Sequence, residues 1–293
     1  MQKALDLSIK YAETGTLDGG YSIPNWKTYS AYMNNHDWGI FVADMQTNHR
    51  GAFDEYDAGS GGELKPKGKY PPKMASYGSS SRMIYNLCKD IPAFRFEEKM
   101  PTKVGGTANL DGYMETEDTY YFVEAKCREP YGEKSHLIEK KYEDIYNHIN
   151  DEEECIFHIS IKNVKGKISV TFSTKTQVIS TFDIKQMICH LLGIAYRVLN
   201  HPTKKKLSFL YLCYNPKLIA ITDAKKENEI IATYEKLCAE CASIDFAKLF
   251  ESIIYFLKSE LKTVKASDTE IAEMCRNFSF ALCDQGNFTR YLL

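Results

Sequence analysis

The sequence predicts an α/β fold in which helices cover a mixed sheet, and three observations carry that prediction. Apolar residues recur at helical spacing across 80–90 and 183–200. Three strand-like runs, 93–100, 107–116 and 119–128, follow one another through short polar turns, as in a meander. A further strand, "KKKLSFLYLCYN", arrives after the second helix, where it can add parallel to the sheet.

Taken in order, residues 1–58 are mixed, with aromatic clusters such as "WKTYSAYMNN" and "WGIFVADM". The run 59–81 is rich in Gly, Pro, Ser and Lys and reads as a long loop, a length that is often functional. The helix 80–90 follows capping serines, with Met83, Ile84, Leu87, Cys88 and Ile91 on one face. After the three strands, 133–149 has the pattern of a polar amphipathic helix, and "CIFHISIK" and "KISVTFST" flank "NVKG" as a hairpin. The helix 183–200 has Asp183 in its first turn and an apolar face of Ile184, Met187, Ile188, Leu191, Ala195 and Val198. Pro202 stops it. Beyond about 224 the patterns are mostly helical.

A chain of 293 residues, 44% hydrophobic and 26% charged, can bury a sizeable core in one large domain. The net charge of −2 excludes a global field that would draw in a polyanion, so any nucleic-acid contact rests on local patches. The N-terminal "MQKALDLSIKYAETG" lacks an apolar signal core, and no run approaches eighteen apolar residues. The expectation is a cytoplasmic protein with no membrane partner. The nine cysteines read as reduced residues in apolar contexts. Cys238 and Cys241 form one CxxC, and Cys275 and Cys283 stand at a spacing that completes no common zinc pattern.

The chemistry concentrates in "LDGYMETEDTYYFVEAKCRE" (110–129). Side chains two apart on a strand share a face, so Glu124 and Lys126 point together with Phe122. A hairpin turn centred between Glu117 and Asp118 pairs Thr116 with Thr119 and sets Asp111 directly opposite Glu124. Two facing carboxylates repel unless one is protonated or a cation joins them. Hard oxygen ligands with positions left for water and substrate suit Mg²⁺ or Mn²⁺. A neighbouring lysine can then orient or deprotonate a water, or stabilise charge on a phosphate. The bland alternative is a surface Glu124–Lys126 pair on an edge strand, worth little.

With the order of elements, "LDGYM…YYFVEAKC" resembles the PD-(D/E)xK nuclease superfamily. The resemblance implies a restriction-endonuclease-like αβββαβ core with helical additions. It assigns Asp111, Glu124 and the main-chain carbonyl of Ala125 to metal, with Mg²⁺ or Mn²⁺ as cofactor, and makes Lys126, with Asp111 and Glu124, the catalytic set. Leu110 stands where the superfamily name has proline. "GSGGEL…KM…SSSRMIYN" followed by "LDGYM…EAK" is further similar to a bacterial family of restriction-type endonucleases, over roughly residues 50–215. In several branches a glutamate near the first helix also reaches the metal. Glu63, the lone acid of a basic Gly-rich stretch, is the candidate, with Glu97 and Glu98 as substitutes. Some related nucleases carry a glutamine in the helix after the Glu-x-Lys strand. Gln186 holds such a place and is counted with the nucleic-acid contacts, with His190 one turn on. Both, with Arg197, lie opposite that helix's apolar face, where solvation is the ordinary reading.

Lys65, Lys67, Lys69 and Lys73 interleave with Tyr70 and Tyr77, a composition suited to phosphate contact and base stacking. Ser80, among three serines at a helix start, can offer its hydroxyl to a phosphate. The expectation is therefore a metal-dependent nuclease acting on nucleic acid, with DNA favoured. Residues 1–223 form the nuclease domain, with an N-terminal extension and an insertion over 133–180. Residues 224–293 form a helical accessory region suited to a homodimer contact. The alternatives are a catalytically inactive nucleic-acid-binding or protein-interaction module on the same fold, and an unrelated protein whose Glu-x-Lys is incidental.

Overall fold

The computed structural model describes residues 33, 35–59, 62–66, 71–76, 78–127, 137–151, 158–164, 167–218 and 224–292. Its centre is a five-stranded mixed sheet in the order β1-β2-β3-β8-β9. β1 (Arg95–Pro101), β2 (Thr107–Glu115) and β3 (Thr119–Lys126) are the antiparallel meander. β8 (Lys206–Cys213) then joins β3 in parallel, with Glu124 beside Tyr211. The predicted strand order of the meander and the parallel addition is thus present.

Both faces of this sheet are covered. On one side lie α1 (Asn35–Asn48), α2 (Arg50–Ala58) and α3 (Ser80–Cys88), packed on Val123, Ala125, Leu210 and Leu212. On the other lies α5 (Ile184–Asn200), against Leu110, Phe122, Phe209 and Tyr211. Neighbouring residues of β3 therefore alternate between two cores, which is why the strand reads as a nearly continuous apolar run. The helix ends follow their caps: the Ser79 side chain accepts from Arg82 N, and Asp183 stands just outside α5 and accepts from Gln186 N.

Between β3 and α5 a smaller sheet is inserted: β4 (Leu137–Ile138), β5 (His158–Val164), β6 (Lys167–Ser173) and β7 (Val178–Ile179), with β6 pairing all three others. The hairpin β5–β6 is as expected. The helix expected over 133–149 is shorter: residues 137–138 pair with β6, and α4 is Glu143–Asp151. Polar amphipathic patterning misleads there because Leu137 and Ile138 pair with Ser169 and Ile168 of a strand far along the chain.

The C-terminal region also differs from a purely helical addition. After α6 (Ala224–Ala242), α7 (Phe246–Glu260) and α8 (Asp268–Arg276), the chain forms β9 (Phe278–Asp284), which completes the central sheet in parallel with β8. The short α9 (Thr289–Leu292) follows. α7 also packs on the outer face of α5, so α5 is sandwiched between helix and sheet. A seam holds α6 to the stretch before α5: Glu240, with 0% exposure, accepts from the backbone amides of Ser180, Thr181 and Phe182 at 3.0, 2.8 and 2.7 Å. Glu240→Ala orphans three amides and is expected to destabilise the fold by about 3 kcal/mol in urea denaturation. A cost under about 0.5 kcal/mol would show that water replaces the carboxylate.

The meander contains one irregular rung. Phe96 pairs with Gly112 and Glu98 with Leu110, which brackets Glu97 opposite Asp111. Glu97 has φ +55°. A regular strand would send Phe96 and Glu98 to the same face. Instead Phe96 packs in the core under α2 and α3, while Glu98 reaches Arg197 of α5 on the other side. β2 makes the same change: Leu110 belongs to the α5 core, whereas a Cβ on Gly112 would lie 2.3 Å from the Phe94 ring on the opposite side. Only glycine admits that approach. Left-handed backbone at a glutamate costs roughly 1–3 kcal/mol.

Candidate active site

The carboxylates gather at this rung. The β2–β3 ladder runs in the expected register as far as Gly112 opposite Val123. The next rung is made by a side chain: Asp111 Oδ2 accepts from the Ala125 amide at 2.8 Å. The register expectation set Asp111 directly opposite Glu124; the ladder instead ends one pair earlier, and Asp111 is held against the main chain of Ala125.

Glu124 is 2% exposed, on the α5 side of β3. Its Oε1 accepts from Lys126 Nζ and, at 2.7 Å, from Gln186 Nε2. His190 Nε2 stands 3.0 Å from its Oε2, within ion-pair range, although neither atom completes a well-angled hydrogen bond. Gln186 and His190 are one turn apart on α5 and turn inward together. The solvated reading of these two does not hold: His190 is 2% exposed. Tertiary packing overrides amphipathicity here because α7 covers the apolar face and the polar strip lies over the sheet. Arg197, farther along, bonds to Glu98 and the Tyr113 hydroxyl.

Electrostatics split the carboxylates. Burial pushes Glu124 up, but Lys126 and His190 outweigh it and hold the acid at about 2. Burial, and then the charge of Glu124, push Asp111 well above the usual carboxylate range.

Glu63 is 4% exposed. It comes from the loop before α3, and its Oε1 pairs with Lys73 Nζ at 3.0 Å while Oε2 has no hydrogen-bond partner. A Cβ on Gly59 would lie 3.5 Å from Glu63 Oε2 and 3.6 Å from Glu97 Oε2, so the two carboxylates share one patch. Burial, followed by the charge of Glu63, raises Glu97 to about 7. Tyr56 lies within electrostatic reach of Asp111, Glu97 and Glu63, its hydroxyl donating to Ser81 O at 3.0 Å. Tyr211, beside Glu124 on β8, has a buried hydroxyl without a hydrogen-bond partner.

Of the expected nucleic-acid contacts, Lys73 neighbours the carboxylates through Glu63. Lys65 is exposed and pairs with Asp57 at 2.7 Å. Lys67 and Lys69 lie outside the described residues. The buried Ser80 hydroxyl accepts from Cys127 N at 3.2 Å, tying α3 to the end of β3. Sequence reasoning passed over His190 as an active participant and undervalued Glu97. The Gln-x-x-x-His spacing on a helix was the available signal for the first. The left-handed φ of Glu97 had none.

Among the described residues, no three His, Cys, Asp or Glu side chains converge tightly enough to cage a metal. Mg²⁺ at phosphate-processing sites needs less: one or two carboxylates, waters and the substrate's own oxygens. Asp111 and Glu124 could supply those carboxylates, and the unsatisfied Glu63 Oε2 is a donor that a cation would satisfy. No protein-family model, curated protein or solved structure matches the chain. Among the described residues no helix is long and apolar enough to cross a membrane.

Proposed function

We propose that this chain is a metal-dependent nuclease with a restriction-endonuclease-like core, hydrolysing phosphodiester bonds in DNA. The observation that carries the reading is the rung itself. Asp111 bonds to the main chain of Ala125, and Glu124 and Lys126 share the next positions of a strand flanked by meander and parallel partner. Asp111, Glu124 and the Ala125 carbonyl would hold Mg²⁺ or Mn²⁺, with Glu63 beside them. When bound, the cation supplies Lewis acidity toward a phosphate oxygen and acidifies water. Gln186 and His190 fix the Glu124 carboxylate from the α5 side. Lys126 directs its ammonium to the same carboxylate, where it can orient water and stabilise charge developing on phosphate. Lys73 and Lys65 offer charge for the flanking backbone.

The test is cleavage of a panel of labelled duplex, single-stranded and branched DNA, and of RNA. Mg²⁺ or Mn²⁺ is compared with EDTA, with Asp111→Ala beside wild type. Cation-dependent cutting that disappears in Asp111→Ala is expected. No cutting of any substrate, with no cation-induced rise in Tm, would leave the non-hydrolytic binding module as the better reading.

A further inference from the structure

The two edges of the central sheet are built differently. β1 forms one and β9 the other. β1 carries the devices that keep an edge strand from pairing with another chain. Arg95, Glu97, Glu98 and Lys99 charge it, Pro101 closes it, and the left-handed backbone at Glu97 breaks its pleat. β9 has none of these. Its run Phe278-Ser279-Phe280-Ala281-Leu282-Cys283 holds no charge, proline or glycine before Asp284.

The ladder fixes which main-chain groups of β9 are open. β8 and β9 run parallel with Leu207 beside Phe278, and the Leu207 amide donates to Asn277 O at 3.0 Å. In a parallel pair the N–H and C=O of one residue point to the same side, and the side alternates along the strand. Ser279, Ala281 and Cys283 therefore turn their main chain to β8, and Phe278, Phe280 and Leu282 turn theirs outward. These outward N–H and C=O groups meet no hydrogen-bond partner among the described residues. The open row ends at Asp284, whose amide donates to Asn287 Oδ1 and whose carbonyl accepts from Phe288 N, each at 2.9 Å. The two faces of β9 are occupied: Phe280 stacks on Phe246 of α7, and Cys283 belongs to the core on the other side. The edge itself is open, with Ser279 exposed and Phe280, Ala281 and Leu282 half-buried.

We propose that β9 pairs antiparallel with β9 of a second copy of this chain, about a two-fold axis at Phe280, which joins two five-stranded sheets into one. Register, charge and closure all select this occupant. Pairing about Phe280 sets Phe280 opposite itself and Phe278 opposite Leu282, so every open group of both copies finds a partner. An axis one residue farther along would call on the Asp284 amide and carbonyl, which are already engaged. The same register carries Arg276 toward Asp284 of the second copy at each end of the ladder. Arg276 is exposed and forms no ion pair among the described residues. Once the β9 edges are joined, both outer edges of the assembly are the guarded β1 strands, so growth stops at two chains. The inference does not depend on the nuclease reading, because β8 separates β9 from the strand that carries Glu124.

Sedimentation equilibrium of the full chain, followed by site-resolved amide hydrogen exchange, tests it. A species of two 33.5 kDa chains is expected at about 50 μM, dissociating on dilution. In that species the Phe278, Phe280 and Leu282 amides are expected to exchange at least about tenfold more slowly than in the diluted chain. The Ser279, Ala281 and Cys283 amides, bonded to β8, are expected to be protected at both concentrations. Arg276→Glu, with an unchanged urea midpoint, sets like charges together at both ends and is expected to weaken the dimer at least about tenfold at low salt. A chain that stays monomeric up to about 200 μM would overturn the inference and leave the edge to a strand of a different protein. A dimer whose three outward amides exchange as fast as the monomer's, or one equally tight in Arg276→Glu, would also overturn it.

Discussion

If the proposed nuclease reading holds, Lys126→Ala is expected to lose about 10²–10³-fold of metal-dependent cleavage and also to destabilise the fold at neutral pH. The first effect follows from removing the one ammonium that the strand directs to the Glu124 carboxylate. The second follows from what remains. Glu124 is 2% exposed and, among the described residues, keeps Gln186 and His190 as near polar partners of its carboxylate. Removing the counter-charge of a buried acid costs about 3–5 kcal/mol. Glu124 is held at about 2, below the ordinary 4.5, so the stability it contributes is present above about 4.5 and fades as pH falls toward 2. The penalty in Lys126→Ala is therefore largest at neutral pH and shrinks in acid. A Glu124→Gln/Lys126→Met double variant separates the effects: it recovers most of the stability and remains inactive. If Lys126→Ala cuts at the wild-type rate, Lys126 has no place in the chemistry. Equal urea midpoints for Lys126→Ala and wild type at pH 7 would remove the electrostatic account of Glu124.

The second large effect is a stability that falls as pH rises. Glu97 is raised from 4.5 to about 7, chiefly by burial and then by Glu63. The folded chain keeps a proton there that the unfolded chain releases, so this stabilisation is complete below about 4.5 and is lost as pH climbs through about 7. Discounted for the partial exposure of Glu97, the loss is about 2 kcal/mol between pH 4.5 and 8. Asp111 works in the same direction. In EDTA, Glu97→Gln should flatten the profile of urea stability against pH and exceed wild type by about 2 kcal/mol at pH 8. Millimolar Mg²⁺ should recover part of the same loss in wild type, because a cation relieves the repulsion that the proton relieves at lower pH. An identical slope in wild type and Glu97→Gln would show that the patch over Gly59 is well solvated in solution.

The meander and the placement of its charged residues were legible in the chain because both depend on local rules. Strand alternation put Glu124 and Lys126 on one face, and a two-residue turn set the register that brings Asp111 to the Ala125 amide. β9 was not legible, since "FSFALC" continues a helical pattern and becomes a strand only because β8 offers a parallel edge. The shortened helix before the insertion has the same origin, in the pairing of Leu137 and Ile138 with β6.

The site divides along the same line. Asp111, Glu124, Lys126 and the place of Gln186 are matters of spacing along strands and a helix, which sequence determines by itself. The burial of His190, the sharing of one patch by Glu63 and Glu97, and the left-handed backbone at Glu97 were decided by tertiary structure alone. Periodicity records which face of an element is apolar. It does not record that α7 covers one side of α5 while the sheet covers the other, nor that β1 and β2 change faces together at a single rung. Those outcomes come from packing between residues far apart in the chain, where the lowest free energy belongs to the whole assembly and not to any segment of it.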